Sequence, residues 1–392
     1  MKAIINTRLI MEDCIIWNGA ITFQGNTIVS VGKAAEVEIP EGTEIIDAKG
    51  KYTAPGLIDI HNHGGDQYTF DQDPLECAKF FLKHGQTTVL PTFYQTLSLA
   101  QMLDAAKKIR EAQKHPIGRV LKGIYMEGPY MSCDGSFKEE MKWGGPVVAD
   151  DYLPLIRGTG DLVRVWAVDP SRENIEDFMA AARKENPNVI FALGHTDATA
   201  SQCRKLKKLG VRVETHFGDT GHAPGRAQGT YGAGADEYTL YDPDIYAELI
   251  CDAEGIHVVP DLIKMVVRAK GVEKMILITD HMVSPGDFKN DEAAGVAYGP
   301  DLNYDNMGRL AGSHLTLENA CHNLMAHTGY GLCHAIRMAT INPARMLGID
   351  DVVGSLEPGK LANLIIIDDA VQVDTVVLEG DVVVANAEPL YV

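Results

Sequence analysis

The stretch Pro55-Gly56-Leu57-Ile58-Asp59-Ile60-His61-Asn62-His63 combines a turn signal, a short strand and two histidines. Pro-Gly is typical of a turn, and the run Leu57–Ile60 has the length and aliphatic content of a buried strand. His61 and His63 come where that strand ends. Residues two apart on an extended backbone point to the same side, so these two imidazoles can grip one ion.

Apolar runs that alternate with helical stretches continue through the middle of the chain. This alternation is typical of parallel βαβ units, and eight strands spread over about 250 residues match a (β/α)₈ barrel in number and size. We therefore predict an α/β fold built on a TIM-like barrel. The eight predicted strands are Leu57–Ile60, Thr87–Leu90, Gly123–Met126, Val163–Val168, Val189–Leu193, Val211–Thr215, Glu248–Cys251 and Met275–Thr279.

Serine residues precede two of the helical stretches. Ser98 stands before a period of apolar residues that starts at Leu99, and Ser171 stands before one that starts at Ile175. Serine is a favoured helix N-cap, so we predict that both residues cap a helix.

The two ends of the chain share a different pattern. Ile21–Phe23 and Thr27–Val31 flank a short turn, and Asn363–Ile367 begins a second group of strand-like runs near the C-terminus. We predict that residues 1–54 and 355–392 together form a small β-sandwich domain. Residues 55–354 are then the barrel.

The chain has 392 residues, and its 35 Lys and Arg against 54 Asp and Glu give a net charge of −19. Such a surface makes nucleic acid and anionic membranes poor partners. The seven cysteines are scattered and contain no Cys-x-x-Cys pair, which is typical of a protein from a reducing cytoplasm. We expect a cytoplasmic protein with a small-molecule substrate.

Residues that bind metals follow most of the predicted barrel strands. In barrels of this kind the reacting groups lie at the C-terminal ends of the strands, and imidazoles and carboxylates are the usual ligands of zinc or iron. Strands one, three, five, six and eight are followed by His61 and His63, Glu127, His195, His216 and Asp280. His257 lies just beyond strand seven and is a further candidate for a functional role.

Eight motif-bearing segments are spread nearly from end to end of the chain. They are Ala54–Gly65, Met126–Pro129, Leu193–Thr196, Glu214–His216, Leu277–Asp280, Gly308–Ser313, Ala339–Arg345 and Gly354–Leu364. These segments resemble the amidohydrolase superfamily, and within it most closely the N-acetylglucosamine-6-phosphate deacetylases.

The resemblance implies roles for individual residues. Glu127, His195 and His216 would hold one divalent metal ion. His61 and His63 would add a second ion, bridged by Glu127. The resemblance also implies that Asp280 is the catalytic aspartate at the metal centre, that His257 polarises the acyl carbonyl, and that Arg226 meets a sugar phosphate across a dimer interface.

The predicted substrate-binding region departs from the family pattern. Phe217-Gly218-Asp219-Thr220 stands where the family has an Asn-Ala stretch that binds phosphate, and Asp219 would repel a phosphate that it faced. Trp143 lies in the region where the family has a substrate-contacting histidine. We include Asp219, Trp143, Arg226 and His257 among the predicted substrate-binding residues.

The resemblance implies a metal-dependent hydrolase that removes an N-acetyl group from an amino sugar, with N-acetylglucosamine 6-phosphate as the predicted substrate. One or two divalent ions are expected, zinc first, with iron, manganese and cobalt sharing the same ligands. A homodimer is expected. In this mechanism Asp280 takes a proton from the attacking water and returns it to the leaving amine.

Two other functions are compatible with the same residues. One is hydrolysis of a different N-acyl compound or a cyclic amide, but relatives of that kind often use a carboxylated lysine, and no lysine ends predicted strands four or five. The other is a metal-binding protein without catalysis. Asp280 beside a full ligand set argues against it, because structural zinc sites are normally closed by four ligands.

Overall fold

The structure is a computed structural model that describes residues 1–132, 136–219, 221, 232–283, 299–305 and 307–391. Its centre is an eight-stranded sheet in which all neighbouring strands are parallel and follow one another in chain order. The barrel strands one to eight are Leu57–Asn62, Gln86–Tyr94, Ile124–Glu127, Val163–Val168, Ile190–Leu193, Val211–Glu214, Tyr246–Ile250 and Met275–Ile278.

Backbone hydrogen bonds just beyond strand eight join it to strand one. The amide of Asp280 donates to the carbonyl of His61 over 2.9 Å, and the amide of His63 donates to the carbonyl of His281 over 2.8 Å. The barrel therefore closes at the C-terminal ends of its strands, beside the predicted ligands. This architecture confirms the predicted α/β class and TIM-like barrel.

Helices surround the barrel strands and cover their outer faces. Aliphatic residues dominate the strands because parallel strands of this kind are buried on both sides. The α-helices are Pro74–Lys83, Leu99–Ala112, Ala149–Thr159, Ile175–Glu185, Ala200–Lys207, Ala235–Tyr241, Pro260–Lys270, Leu317–Thr328, Leu332–Met338 and Ile341–Leu347. Short 3₁₀ helices cover Ile117–Val120, Lys138–Glu140, Gly160–Leu162 and Val272–Lys274.

The two predicted helix caps have different outcomes. Ser98 caps Leu99–Ala112 and forms a capping box with Gln101, as predicted. The prediction for Ser171 is wrong, because the helix begins at Ile175 with Asn174 as its N-cap. The Ser171 hydroxyl instead donates to Asp169 over 2.8 Å.

Strands from both ends of the chain form one nine-stranded sheet. Antiparallel pairing of Pro55 with Leu364 joins the N-terminal strands to the C-terminal ones. Ile4 and Phe23 from one end pack with Ile366 from the other in a separate hydrophobic core. The strands are Lys2–Ile10, Ile15–Gln24, Thr27–Lys33, Glu44–Asp47, Tyr52–Pro55, Leu364–Ile367, Val373–Leu378, Asp381–Ala385 and Glu388–Pro389. The domain boundaries at residues 54 and 355 stay a prediction.

Two short ribbons lie outside these sheets. Gly64–Gly65 pairs with Tyr68–Thr69, and Leu302–Tyr304 pairs with Leu310–Ser313. The second ribbon runs beside the end of strand eight, where the Met282 amide donates to the Ser313 carbonyl over 2.8 Å. In the part of the chain that the structure describes, no helix has the length and apolarity that a bilayer crossing requires.

Candidate metal centre

Six buried side chains converge inside the barrel at the C-terminal ends of its strands. All six were singled out from the sequence, and we call them the inner cluster: His61, His63, Glu127, His195, His216 and Asp280. Groups of three among them have ligand atoms within 4.8 Å of one another.

The backbone turns sharply at three members of the inner cluster. His195, His216 and Asp280 have φ angles of 44°, 27° and 48°, in the left-handed region that side chains other than glycine rarely adopt. Each of these residues follows the last residues of a barrel strand. Left-handed backbone of this kind costs free energy and is often found at functional sites, where it aims a side chain that regular strand geometry would send elsewhere.

Glu127 lies at the centre of the inner cluster, and each of its carboxylate oxygens faces two histidines. Oε1 is 2.8 Å from His195 Nε2 and 3.1 Å from His216 Nε2. Oε2 is 3.0 Å from His63 Nε2 and 3.5 Å from His61 Nε2. One carboxylate therefore separates two pairs of imidazole nitrogens, which is the arrangement expected of a ligand that bridges two cations.

Asp280 lies on the His63 side of Glu127. Its Oδ1 atom is 3.1 Å from His63 Nε2 and 3.7 Å from His61 Nε2. The residue is 6% exposed, so one edge of the carboxyl group reaches the cavity above the cluster. A group placed between the histidines and the cavity can exchange a proton with a molecule bound there.

Within the inner cluster, neighbouring charges and hydrogen bonds shift the pKa values in the direction opposite to the effect of burial. Burial raises the pKa of Glu127, but the charge of His61 and hydrogen bonds from His195 and His216 outweigh it and hold that pKa well below its usual range. Burial lowers the pKa of His63, but hydrogen bonds to Asp280 and Glu127 raise it to about 9. The carboxylates favour positive charge at the imidazoles, which is the field that a divalent cation needs.

The donor set fits a divalent metal ion. His61 Nε2 is fully buried and, within the described ranges, makes no hydrogen bond. An unsatisfied buried nitrogen is costly unless a ligand or ion completes it. Nitrogen and carboxylate oxygen are the donors that zinc and related transition metals prefer.

A cavity of about 260 Å³ opens above the inner cluster. Acidic side chains Asp197 and Asp219 line it, and Asp219 Oδ2 lies 3.9 Å from His216 Nδ1. Apolar side chains of Phe137, Met282 and Leu310 also line it. A small organic molecule can therefore reach the predicted ligands.

The other predicted site residues lie in different surroundings. His257 is 5% exposed, with Nδ1 3.1 Å from Asp252 Oδ2 and Nε2 3.2 Å from the carbonyl oxygen of Gly312, a residue of the cavity wall. Trp143 does not line the cavity, and its indole nitrogen donates to the carbonyl of Leu97 over 2.8 Å. Arg226 lies outside the described residues. The roles of these three residues stay predictions.

Several residues near the inner cluster were missed from the sequence. Glu248 lies inside strand seven, 3.3 Å from His61, and Asp59 accepts hydrogen bonds from Gln86 and Thr279 beneath the cluster. Tyr94 lines the cavity beside His63. A carboxylate within an apolar strand was the signal available for Glu248 and Asp59, since such residues are rarely buried without a partner.

Comparisons with known proteins agree with this geometry. An N-acetylgalactosamine-6-phosphate deacetylase of Escherichia coli O157:H7 is 29% identical, over 90% of this chain and 93% of the relative. An N-acetylglucosamine-6-phosphate deacetylase of Haemophilus influenzae is 27% identical, over 96% of this chain and 98% of the relative. The crystal structure of N-acetylglucosamine-6-phosphate deacetylase from Pasteurella multocida has the same fold, with a TM-score of 0.82 and 24% sequence identity. The match covers 97% of this chain and 99% of that structure's chain.

The model of the amidohydrolase family matches residues 52–383, which include the whole barrel and every member of the inner cluster. The match confirms the resemblance that the strand-end motifs indicate. The chain belongs to the amidohydrolase family.

Proposed function

We propose that this protein removes the N-acetyl group from an amino sugar, with N-acetylglucosamine 6-phosphate as the substrate, and releases acetate and the free amino sugar. The observation that carries the proposal is Glu127, whose two oxygens each face a pair of histidine nitrogens next to Asp280. Deacetylases of amino sugar phosphates among the relatives, aligned over almost the whole chain, support the choice of substrate.

The inner cluster would hold one or two divalent ions. Glu127, His195 and His216 form one half of the cluster, and His61, His63 and Asp280 form the other, with His216 also close to His61 and Asp280. A divalent ion bound there supplies Lewis acidity and lowers the pKa of water from 15.7 to about 7. Zinc is the first candidate, and iron, manganese and cobalt accept the same donors.

Asp280 is the proposed general base and acid. Its carboxyl group borders the cavity and is held by His63, so it can accept a proton from the attacking water. The same group then returns the proton to the leaving nitrogen of the amide. The C–N bond breaks as the amine takes that proton, and the acyl group leaves as a carboxylate.

His257 is the proposed hydrogen-bond donor to the acyl carbonyl oxygen of the substrate. Burial lowers the pKa of His257, but the hydrogen bond to Asp252 outweighs it and raises that pKa above its usual value. A carboxylate that favours the protonated form of a histidine also favours its role in stabilising negative charge that develops on an oxygen. Its Nε2 atom now faces the Gly312 carbonyl at the cavity wall, so substrate contact requires that hydrogen bond to be exchanged.

The phosphate-binding part of the proposal depends on Arg226, which we propose to contact the sugar phosphate from a second subunit of a homodimer. Asp219 and Asp197 place negative charge on the described part of the cavity wall. We further propose a cytoplasmic location, supported by six free thiols among the described cysteines. We retain residues 1–54 with 355–392 and residues 55–354 as the two domains.

Acetate release from four compounds tests the proposed function. The panel is N-acetylglucosamine 6-phosphate, N-acetylglucosamine, N-acetylgalactosamine 6-phosphate and an N-acetyl amino acid, each assayed before and after dialysis against a chelator. We expect the highest kcat/KM for the first compound, loss of activity on chelation and recovery with zinc. Activity confined to the N-acetyl amino acid would contradict the amino sugar, and equal activity with and without the phosphate would contradict the role of Arg226.

A further inference from the structure

Glu248 is a fully buried carboxylate that the proposed mechanism does not use. It lies in strand seven, Tyr246–Ile250, between aliphatic neighbours, and its side chain is 0% exposed. A carboxylate is rarely buried to this extent without a cation or several hydrogen bonds to stabilise its charge. Its surroundings therefore indicate what it serves.

The Glu248 carboxylate contacts two histidines of the inner cluster. Oε2 is 3.3 Å from His61 Nδ1, and it accepts a hydrogen bond from the His216 amide over 3.4 Å. Oε1 makes no hydrogen bond to the residues that the structure describes, and no Lys or Arg there forms an ion pair with Glu248. Two long hydrogen bonds and an interaction with the Tyr125 hydroxyl are weak compensation for a buried charge, so His61 and a cation bound at its imidazole would be the main sources of positive charge beside Glu248.

The contact with His61 fixes which nitrogen of that ring is free. A carboxylate accepts hydrogen bonds, so the proton of a neutral His61 stays on Nδ1 and the lone pair stays on Nε2. Nε2 is the atom that faces Glu127 Oε2 at 3.5 Å and Asp280 Oδ1 at 3.7 Å. Histidine ligands of metals are commonly oriented in this way by a carboxylate on the other nitrogen.

The negative charge that is available to a metal ion also differs between the two halves of the inner cluster. Two divalent ions bring four positive charges, and Glu127 and Asp280 supply two negative charges among the six clustered side chains. Glu248 adds a third, beside His61. Its attraction is strongest for an ion on the His61 side, because Coulomb energy falls with distance in the poorly solvated interior of the barrel.

We infer that Glu248 is a positioning residue that decides how many metal ions this protein holds, by presenting His61 Nε2 and supplying the charge that a second ion needs. The inference rests on the proposed metal-dependent function. We expect the ion held by Glu127, His195 and His216 to depend less on Glu248, because the carboxylate meets that group at the His216 backbone amide, whereas it meets His61 at a ring nitrogen.

Metal counting by mass spectrometry tests this inference without using activity. Wild type, Glu248→Gln and Glu214→Gln are equilibrated at the same buffered zinc concentrations, and folding is checked by circular dichroism. Glu214→Gln is the matched control, because Glu214 is a buried glutamate at the end of the adjacent strand whose carboxylate faces Asp236. We expect two ions in wild type and in the control. We expect one ion in Glu248→Gln, with the dissociation constant of the weaker site raised about 10- to 100-fold.

Glu248→Asp is the second variant, because it keeps the charge and fits a smaller volume. It is expected to recover the second ion at zinc concentrations where Glu248→Gln holds one, which a merely structural role would not produce. Two ions in Glu248→Gln, equal weakening of both ions, or a single ion in wild type would overturn the inference. Acetate release by wild type is measured separately, and its absence alongside two bound ions would contradict the proposed substrate but not the role of Glu248.

Discussion

Two clusters of ionisable residues, each built around a buried glutamate, lie on opposite sides of strand six, and the pKa values of the two glutamates are shifted in opposite directions. The inner cluster contains Glu127, whose pKa is held well below its usual range by surrounding histidines. The outer cluster consists of Glu214, Asp236 and Cys203, behind the strand. Burial, the charge of Asp236 and a hydrogen bond with that residue raise the pKa of Glu214 well above its usual value.

The two glutamates are almost equally buried, with exposed fractions of 2% for Glu127 and 1% for Glu214. Their different protonation therefore comes from what they face: imidazoles in one case and another carboxylate in the other. Burial by itself does not identify a functional carboxylate. The side chains that face the carboxylate identify it, and each of them can be changed by a single substitution.

The largest effect is expected from Glu127→Gln. The amide places a donor where one carboxylate oxygen faced two histidine nitrogens, so at least one half of the inner cluster loses its shared ligand. We expect kcat to fall by at least about 10³-fold and metal content to drop. Metal analysis and acetate release measure both. Full metal content with near-normal turnover would show that Glu127 is not a ligand shared by two metal ions.

Asp280→Asn is expected to separate metal binding from catalysis. The amide oxygen keeps the shape of the site, but the side chain no longer accepts and returns a proton. We expect metal content close to wild type and a loss of about 10²- to 10⁴-fold in kcat. Near-normal turnover would rule out Asp280 as the base.

In the outer cluster, Glu214→Gln is expected to change the pH dependence of stability and leave the metal centre intact. Folded wild type keeps a proton on Glu214 at pH values where the unfolded chain, with an ordinary pKa of 4.5, has released it. The free energy of unfolding of wild type therefore falls as pH rises above about 4.5, by about 1.4 kcal/mol for each tenfold increase in the proton affinity of this group.

Glutamine mimics the protonated form and has no proton to release, so this part of the pH dependence should disappear in the variant. Urea unfolding at about pH 5 and about pH 8 measures it. Wild type is expected to lose more stability than the variant between the two, and identical slopes would contradict a protonated Glu214. Turnover at about pH 7 should stay within about twofold of wild type.

The smallest effect is expected at the thiols. Burial and the charge of Glu214 raise the pKa of Cys203 to about 12, so about one molecule in 10⁴ carries the thiolate at pH 8. Cys14 is exposed. We expect iodoacetamide to modify Cys14 at least about 100-fold faster than Cys203 in the native protein, as measured by peptide mass spectrometry. Comparable rates would show that the outer cluster is open to solvent.

The barrel was predictable because its signal is local and repeated. Each strand is a short aliphatic run that is buried on both faces, and all eight predicted strands lie in the observed barrel. Their ends differ from the prediction: strand two continues to Tyr94 rather than Leu90, since its C-terminal part pairs with strand three. The cap at Ser171 failed because Asp169 accepts its hydroxyl hydrogen bond.

The sequence by itself determined the fold class, the family and the six residues of the inner cluster. It could do so because each of these six residues comes in a short motif at the end of a predicted strand. Only the tertiary structure decided which way those side chains point. Glu214 and His216 are two residues apart, and a regular strand would place both on one side. The left-handed backbone at His216 instead turns its ring toward Glu127, while Glu214 faces Asp236. The structure alone also brings Glu248 to His61, across 187 residues of sequence, because strands one and seven flank strand eight only when the barrel closes.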